Sequence, residues 1–375
     1  MARRPSGRTR KQKRVGVLTS GGDCSGLNAV IRAVVYRAKL TYGWKVFGIH
    51  EGTLGLMNRP LRYEELEPDQ FAGHMLRVGG TMLGTTNKGD PFAFPMPDGS
   101  IKDRSGEFVE GYRMLGLDAL IGIGGDGSHR LLSRLCQADD VNFVAIPKTI
   151  DNDVAFTEFS VGFMTAADLA MEALDRLLST AVSHHRIMVL EVMGRDAGHI
   201  ALNAGIAGGA DIILIPEIPY SLAGVFDALE SAKKKGRNHG LVIVAEGVKT
   251  EEGDTPTVAH RSGAATYGGI GQYLGERIAE RTGADVRTVN LGHVQRGGAP
   301  VMLDRVVAQA FGVRAVDLVA AGRFDRMVAW QHREVVDVPL EEVVTRSRKV
   351  LVHGTLVHTA RGLGTYVGDV PETEI

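Results

Sequence analysis

The chain has 375 residues, of which 44% are hydrophobic and 23% charged, and it carries a formal net charge of -1 at pH 7. This composition is typical of a globular protein that is long enough for two domains and a large core. The near-zero charge provides no overall attraction to nucleic acid or to an anionic membrane surface, and no apolar run reaches the length of a membrane span. We therefore expect no nucleic acid and no membrane among its partners.

The cysteine content indicates a reducing compartment. Cys24 and Cys136 are the only cysteines in the sequence, so a disulfide framework and a cysteine-ligated zinc site are excluded. We expect a cytoplasmic protein. Residues 1–14 are rich in Arg and Lys and contain no acid and no apolar stretch, which predicts a disordered basic tail and not a secretory signal.

From Val15 onward, short apolar runs alternate with Gly-rich or charged loops and with amphipathic helical stretches. The polar groups always follow the strand-like run, which is the pattern of a doubly wound parallel sheet. The length of the chain predicts two such Rossmann-like α/β/α domains. The predicted strands are residues 15–18, 120–123, 142–146, 187–192, 212–215, 241–245 and 286–291.

Two of the loops are rich in glycine and precede predicted helices. They are Gly21-Gly22-Asp23 and Gly124-Gly125-Asp126-Gly127-Ser128. Glycine lets the backbone approach a ligand closely, and a helix amino terminus favours an anion. Mg²⁺ usually takes one or two carboxylates together with phosphate oxygens, so the loops and their acid favour a nucleotide bound with Mg²⁺. The alternative is that the glycines only make tight turns between strand and helix.

Residues 122–127 also match the Gly-x-Gly-x-x-Gly fingerprint of dinucleotide-binding domains, so an NAD-dependent enzyme is a second interpretation. That fingerprint requires an acid at the end of the next strand to hold the ribose. The sequence has Pro147 and Lys148 there, which weakens this interpretation. The sequence contains no Gly-Lys-[Ser/Thr], so a Walker phosphate loop is excluded as well.

The stretch from Pro147 to Asp153, which reads Pro-Lys-Thr-Ile-Asp-Asn-Asp, follows the predicted strand 142–146. Open α/β sheets bind their ligands at the carboxyl ends of strands. The stretch provides a candidate proton acceptor in Asp151, a positive charge in Lys148 and a hydroxyl in Thr149. A solvated turn is the alternative, because Asp and Asn are common turn residues.

Further charged side chains suggest a site for an anionic substrate. Cationic or titratable side chains lie at or near the predicted strand ends at Arg186, Arg195, Arg287, His293 and Arg296. Guanidinium groups pair well with a phosphate monoester, although each of these residues alone could be a surface ion-pair partner. We expect them to meet at one rim of the sheet. Glu246 follows the predicted strand 241–245, where its carboxylate can accept hydrogen bonds from sugar hydroxyls.

Six motifs in order closely resemble the phosphofructokinase family, from Val15 to about Gly364. They are LTSGGD at 18–23, GGTMLG at 79–84, GGDGS at 124–128, TIDND at 149–153, EVMGR at 191–195 and LGHVQRGG at 291–298. A Gly-Gly-Asp-Gly loop alone is shared with NAD kinases and lipid kinases, but the ordered set is specific. The resemblance implies a nucleotide-binding domain at 15–162 and 294–345, and a fructose 6-phosphate-binding domain at 163–293 and 346–366.

The resemblance implies phosphorylation of the 1-hydroxyl of fructose 6-phosphate by Mg-ATP, the committing step of glycolysis. The catalytic residues it implies are Lys148, Thr149, Arg195 and the general base Asp151. The nucleotide would be bound by Gly22, Lys88, Gly125, Asp126, Gly127 and Ser128, with Asp126 also holding Mg²⁺. The sugar phosphate would be bound by Thr149, Asp151, Met193, Gly194, Arg195, Glu246, His293 and Arg296, and by Arg186 and Arg287 from a neighbouring subunit. That last assignment makes the oligomer part of the active site, and the resemblance implies a homotetramer with shared active sites.

The sequence departs from the family pattern in ways that bear on the phosphoryl donor. Bacterial ATP-using members usually place an arginine shortly after the residue that matches Gly84, whereas this chain offers Lys88. Lys148 matches the lysine of the pyrophosphate-using branch. Gly127, in contrast, stands where pyrophosphate users carry aspartate, so we expect ATP, with a pyrophosphate-dependent phosphotransferase as the alternative. A catalytically inactive sugar-phosphate sensor is a further alternative, which the presence of Asp126, Asp151 and Arg195 disfavours.

Overall fold

A computed structural model of the protein describes residues 12–259 and 265–369. They form two compact units. Unit 1 extends to Lys148 and also includes Phe156–Glu158 and Arg305–Arg346, whereas unit 2 comprises Thr149–Ala155, Phe159–Asp304 and the residues from Ser347 onward. Residues 149–155, 159–162 and 294–304, which the predicted nucleotide-binding domain includes, belong to unit 2.

Unit 1 is built on a seven-stranded sheet with a parallel centre. The strands of the sheet are β1 (Arg14–Thr19), β2 (Lys45–Ile49), β3 (Tyr63–Leu66), β6 (Ala119–Gly124), β7 (Phe143–Pro147), β14 (Arg326–Gln331) and β15 (Glu334–Pro339). A small separate hairpin is formed by β4 (Phe94–Pro95) and β5 (Ile101–Lys102). The sheet order is β15-β14-β7-β6-β1-β2-β3, and only the edge strands β3 and β15 are antiparallel. The central strands β6 and β7 are buried along their whole length, as expected of a parallel sheet that is covered on both faces.

The helices of unit 1 pack closely because glycines stand at the contacts. The helices are α1 (Leu27–Tyr36), α2 (Leu54–Met57), α3 (Ser105–Met114), α4 (Asp126–Gln137), most of α9 (Met302–Ala321) and α10 (Leu340–Val343). A Cβ on Gly312 of α9 would lie 2.6 Å from the Cβ of Ala33 on α1. A Cβ on Gly122 of β6 would lie 2.9 Å from Leu132 of α4. The helix-to-helix and helix-to-sheet distances at these points therefore leave no room for a side chain.

Unit 2 contains a four-stranded parallel sheet in the order β13-β8-β10-β9. Its strands are β8 (Ile187–Val192), β9 (Ile212–Leu214), β10 (Gly240–Ala245) and β13 (Val286–Asn290), and a separate antiparallel hairpin is formed by β11 (Thr257–Ala259) and β12 (Ala265–Tyr267). Its helices are α5 (Phe163–His184), α6 (His199–Ala207), α7 (Leu222–Lys234), α8 (Ile270–Thr282) and α11 (Thr355–Gly362).

Helices cover both faces of the sheet in unit 2. On β10, Ile243 lies against Gly205 of α6, whereas Gly240 lies against Leu229 of α7. Successive side chains along a strand point to opposite faces of the sheet, so residues 240 and 243, which are three positions apart, lie on opposite faces. The predicted α/β/α arrangement is confirmed, as is each predicted strand to within about one residue at either end.

The predicted basic tail is only partly within the described residues. Residues 1–11 lie outside them, and Arg14, which we placed in the tail, is instead the first residue of β1, where its side chain lies over the ring of Phe47. Neither Cys24 nor Cys136 forms a disulfide, and both are buried. Among the described residues, no helix combines the length and the apolar character that crossing a bilayer requires.

Candidate active site

The amino terminus of α4 is open to an anion. Its N-cap residue, Gly125, has no side chain and so cannot cap the helix, and α4 begins at Asp126 directly after the glycines. The first N–H groups of a helix and its dipole favour negative charge, and α4 presents them at this loop. A Cβ on Gly127 would meet no atom within 4 Å beyond its own helix turn, so there is open space at this position of the first turn.

The loop after β1 is held against the same region. The amide of Gly21 donates to the carbonyl of Thr86, and Gly21 has φ +84°, which favours glycine. A Cβ on Gly21 would lie 2.7 Å from Oγ of Ser128, so the two Gly-rich loops are in contact. The predicted helix after this loop is α1, which begins at Leu27, so residues 23–26 separate the glycines from the first helical residue.

Lys148 joins the two loops. Its main-chain amide donates to the carbonyl of Gly124 at 2.8 Å, and its ammonium group donates to the carbonyl of Gly22. The residue is only 3% exposed, so its charge is held against the main-chain oxygen of Gly22 and away from solvent. Lys88, by contrast, is exposed, and its main chain bonds to Oγ1 of Thr86.

The carboxylate of Asp126 is the metal-binding group that the sequence predicts. One of its oxygens lies 2.7 Å from a guanidinium nitrogen of Arg130, one turn along α4. Within the described ranges, no three His, Cys, Asp or Glu side chains are grouped to hold a metal ion. One carboxylate next to an anion-binding helix start fits the Mg²⁺ site that nucleotides complete with their own phosphate oxygens.

In unit 2, the stretch from Thr149 to Asp153 is not a solvated turn. Asp151 is 5% exposed and Asn152 is 2% exposed. The amide of Asp151 donates to Oγ1 of Thr149 at 3.1 Å, and Oδ1 of Asn152 accepts from the amide of Ser160 at 3.0 Å. Asn152 has φ +54°. These bonds fix the backbone that carries Asp151, which suits a reacting group better than a surface turn.

The turn after β8 is tied to the end of β10. Arg195 has φ +50°, and its amide donates to Oε1 of Glu246 at 3.2 Å. A Cβ on residue 247 would overlap the carbonyl oxygen of Arg195, so Gly247 is required for this approach. Burial raises the pKa of the Glu246 carboxyl, and the negative charge of Asp151 acts in the same direction. Unit 2 therefore brings Asp151, Arg195 and Glu246 together.

The residues after β13 lie beside this turn. His293 and Arg296 belong to a short 3₁₀ helix, Gly292–Arg296. Oε1 of the buried Gln295 accepts from the amide of Met193 at 2.8 Å, which holds the short helix next to β8. Gln295 was quoted in a motif but not predicted as a site residue, because only the structure shows that its side chain points inward.

Two buried carboxylates, those of Glu191 and Asp304, hold the main chain at helix starts in unit 2. Neither was predicted to have a role. Glu191 accepts from the amides of Gly269 and Gly271 at the start of α8 and from Nδ2 of Asn290 on β13. Asp304 accepts from the amide of Gly162 at 2.9 Å and so caps α5, and burial raises the pKa of its carboxyl. Each carboxylate satisfies helix-terminal N–H groups that would otherwise lack a partner.

Arg186 and Arg287 contradict the expectation of a single cationic rim. Arg186 precedes β8 and Arg287 is the second residue of β13, so both lie toward the amino ends of strands whose carboxyl ends carry Met193 and His293. Both bind Asp285, and Nε of Arg186 lies 2.6 Å from its carboxylate. At about 3.3 Å per residue, the length of β8 separates Arg186 from Met193 by roughly 20 Å.

Comparison with known proteins identifies the family. The phosphofructokinase family model matches residues 14–319. The chain belongs to the phosphofructokinase family. The ATP-dependent 6-phosphofructokinase 1 of Synechocystis sp. is 58% identical over 357 residues, which cover 95% of this chain and 99% of that relative. The ATP-dependent 6-phosphofructokinase 1 of Nostoc sp. is likewise 58% identical over 359 residues, 96% of this chain and 99% of that relative.

Solved phosphofructokinases share the fold. The phosphofructokinase of Saccharomyces cerevisiae is 31% identical with a TM-score of 0.74, and the match covers 89% of this chain but only 45% of the yeast chain. A pyrophosphate-dependent phosphofructokinase from Marinobacter aquaeolei has a TM-score of 0.77 at 20% identity and covers 96% of this chain and 94% of that one. At that identity the likeness extends to the phosphofructokinase fold alone.

Proposed function

We propose that the chain is an ATP-dependent 6-phosphofructokinase, a transferase of glycolysis that phosphorylates the 1-hydroxyl of fructose 6-phosphate. The observation that carries the proposal is the group of Asp151, Arg195 and Glu246 in unit 2, where a buried carboxylate lies with a guanidinium-bearing turn and a second carboxylate. Relatives that are 58% identical over nearly the whole chain bear the name of this activity.

Asp151 is the general base in this proposal. Its carboxylate takes the proton from the 1-hydroxyl as that oxygen bonds to the terminal phosphorus of ATP, and the bond from that phosphorus to the oxygen of the leaving ADP breaks. The hydrogen bonds of Thr149 and Asn152 hold the main chain that carries the carboxylate, which lowers the cost of positioning it for the reaction. Arg195 provides positive charge for the transferring phosphoryl group.

The sugar phosphate is bound by the residues at the carboxyl ends of β8, β10 and β13. Met193, Gly194 and Glu246 contact the sugar, and the carboxylate of Glu246 accepts from its hydroxyls. His293 and Arg296 bind the 6-phosphate, since a guanidinium forms paired hydrogen bonds with phosphate oxygens. The bond from Met193 to Gln295 keeps the sugar-binding and phosphate-binding residues in a fixed relation.

The Gly-rich loops of unit 1 bind the nucleotide phosphates. Gly22, Gly125, Gly127 and Ser128 bring main-chain N–H groups close to the phosphates, and Asp126 holds Mg²⁺. The metal, when bound, neutralises negative charge on the donor and so favours the transfer. Lys88 is exposed and adds positive charge beside the loop after β1.

ATP is proposed as the donor over pyrophosphate. The free space at Gly127 leaves room for the α-phosphate of a nucleotide, where an aspartate would crowd and repel it. Lys148, which matches the pyrophosphate users, already bonds to Gly22 and Gly124 and so has a supporting role that either donor permits.

The proposed assembly is a homotetramer in the cytoplasm with shared active sites. Arg186 and Arg287 lie at the opposite end of the unit 2 sheet from Met193 and His293. They therefore suit the role that the family resemblance gives them, in which they bind the 6-phosphate at the site of a neighbouring subunit.

A donor assay with purified protein tests the proposal. Fructose 1,6-bisphosphate is measured after incubation of fructose 6-phosphate with ATP or with pyrophosphate, each with and without Mg²⁺. We expect product with ATP and Mg²⁺, a loss of product when a chelator removes the metal, and little product with pyrophosphate. Efficient use of pyrophosphate would establish the alternative donor. Binding of fructose 6-phosphate without any product would identify an inactive sensor.

A further inference from the structure

The hairpin of β11 and β12 places one tyrosine beside the turn that carries Arg195. Tyr267 ends β12 and is paired with Thr257 of β11. Directly after it, the amide of Gly268 donates to the carbonyl of Pro256 at 3.2 Å, and the amide of Gly269 donates to the buried Glu191 at 3.1 Å. The main chain at Tyr267 is thus fixed from both sides, to its own hairpin and to the end of β8.

The side chain of Tyr267 reaches the residue next to Arg195. Its hydroxyl donates to Oδ1 of Asp196 at 3.1 Å, across 71 positions of sequence. Arg195 and Asp196 are both exposed, and Arg195 has a left-handed backbone conformation with φ +50°. Such a conformation is unfavourable for a residue other than glycine and persists when the surrounding contacts hold it.

The charges of the proposed site act on the same hydroxyl. The hydrogen bond to Asp196 raises the pKa of Tyr267, the negative charge of Glu246 raises it further, and the positive charge of Arg195 lowers it. The hydroxyl is therefore protonated at neutral pH and available as a donor. The phenol stands close to two charged residues that the proposed function places on the substrate.

We propose that Tyr267 is a positioning residue for Arg195. By bonding to Asp196, it completes a set of contacts on the turn after β8, in which Glu246 binds the amide of Arg195 and Gly247 admits its carbonyl. The turn is then held on both sides of Arg195, so the main chain that carries the guanidinium has a fixed position. This inference rests on the proposed function, and it adds a residue that none of the sequence motifs contains.

The matched pair of variants is Tyr267→Phe and Tyr273→Phe. Each removes a single hydroxyl that donates to a carboxylate in unit 2, since the hydroxyl of Tyr273 donates to Oε2 of Glu252 at 3.0 Å. We expect Tyr267→Phe to lower kcat/KM for fructose 6-phosphate about fivefold to tenfold while the KM for ATP stays within twofold, because a hydrogen bond to a charged group is involved. In Tyr273→Phe, kcat/KM for fructose 6-phosphate and the KM for ATP should both stay within twofold of wild type.

A double-mutant cycle separates the bond from a general loss of structure. Asp196→Ala should lower kcat/KM by a similar factor, and the double variant Tyr267→Phe with Asp196→Ala should be no worse than either single variant. Asp196→Asn keeps an acceptor oxygen and should retain more activity than Asp196→Ala. Losses that multiply in the double variant, or a Tyr267→Phe enzyme equal to the Tyr273→Phe control, would overturn the proposal.

Hydrogen exchange of the amides of residues 195–197, measured without substrate, makes the test independent of turnover. Tyr267→Phe should speed exchange in this segment about fivefold, whereas Tyr273→Phe should leave it unchanged. Unchanged exchange in Tyr267→Phe would overturn the positioning role even if activity fell. If wild type does not phosphorylate fructose 6-phosphate, the proposed function fails, and the exchange result still decides whether Tyr267 holds the turn.

Discussion

The side-chain ammonium group of Lys148 donates a hydrogen bond to the main-chain carbonyl of Gly22. The two residues belong to different loops of unit 1, one after β7 and one after β1. The lysine is buried, so a charged donor joins the main-chain bond from Gly21 to Thr86 in holding the loop after β1. This contact gives Lys148 a role in shaping the proposed nucleotide site that its sequence position alone did not indicate.

Replacement of Lys148 with methionine removes this donor and keeps an unbranched side chain that is one heavy atom shorter. Hydrogen bonds to charged groups contribute about 1.5–3 kcal/mol, so we expect kcat/KM for ATP to fall by about 10- to 100-fold. Steady-state kinetics with varied ATP measure the effect. The control is Lys235→Met, at an exposed position after α7, which should leave the kinetics within twofold. Unchanged ATP kinetics in Lys148→Met would contradict the supporting role.

Gly127 provides a test of donor choice with a graded series of variants. The open space at Gly127 admits a side chain without a clash, so Gly127→Ala should retain ATP activity within about threefold. Gly127→Asp adds a negative charge at the start of α4, where the nucleotide phosphates are proposed to bind, and should lower kcat/KM for ATP by about tenfold or more. Gly127→Asn has nearly the same size as Gly127→Asp without the negative charge, so the difference in kcat/KM for ATP between these two variants measures the effect of charge. Equal ATP activity in the alanine and aspartate variants would show that this position does not select the donor.

Asp151→Ser tests the general base. Removal of such a group typically costs about 10²–10⁴-fold in kcat, while binding of fructose 6-phosphate should remain within about threefold of wild type. Turnover assays and titration calorimetry measure the two quantities. Asp227→Ser, at an exposed position of α7, is the control and should have normal kcat. A turnover number near that of wild type in Asp151→Ser would exclude Asp151 as the base.

Glu246 should give the enzyme a pH dependence. Its carboxylate form accepts from the amide of Arg195, and burial raises its pKa above the ordinary 4.5. Since the raised pKa favours the protonated form, kcat/KM for fructose 6-phosphate should be full well above this pKa and decline as pH falls toward it. In Glu246→Gln the decline should move to lower pH. Profiles measured from pH 5 to pH 8 provide the comparison, and coincident profile shapes would rule out this titration.

Subunit mixing tests the shared site. Arg186→Ala and Asp151→Ala proteins should each be weakly active, and exchange of subunits should restore part of the activity, because hybrid interfaces combine an intact base with an intact arginine. Mixing Arg186→Ala with Arg287→Ala is the control and should restore nothing, since every hybrid site lacks one donated arginine. If demonstrated exchange of Arg186→Ala with Asp151→Ala brings no recovery, each site is built within one subunit.

The strands and the Gly-rich loops could be predicted because their signals are local. The apolar run 187–192 coincides with β8, and Gly125 stands directly before α4, since strand pattern and helix start depend on neighbouring residues. The same locality explains the error at Arg186. The prediction placed residues near either end of a strand at the same rim of the sheet. A residue that precedes a parallel strand, however, lies at the amino end of the strand, away from the ligand-binding edge.

The contacts that hold the candidate site could not be predicted, because they join distant parts of the chain. The bond from Gln295 to Met193 spans 102 positions, and the bond from Tyr267 to Asp196 depends on a hairpin with strands of only three residues. No periodicity of sequence encodes the direction of a single polar side chain. The buried acceptor role of Glu191 likewise became visible only when the start of α8 was placed beside β8.

The separated segments of each unit have a consequence for synthesis on the ribosome. The sheet of unit 1 lacks β14, the neighbour of β7, until residues 326–331 have emerged, and β9 of unit 2 lacks its bridge to Tyr366 until later still. Neither unit can fold completely before its late segment has been made. Domains that follow one another along a chain can instead fold one after the other during synthesis. The outer edge of β7 therefore stays unpaired until residues 326–331 have been made, and an unpaired strand edge is a template for pairing with another chain.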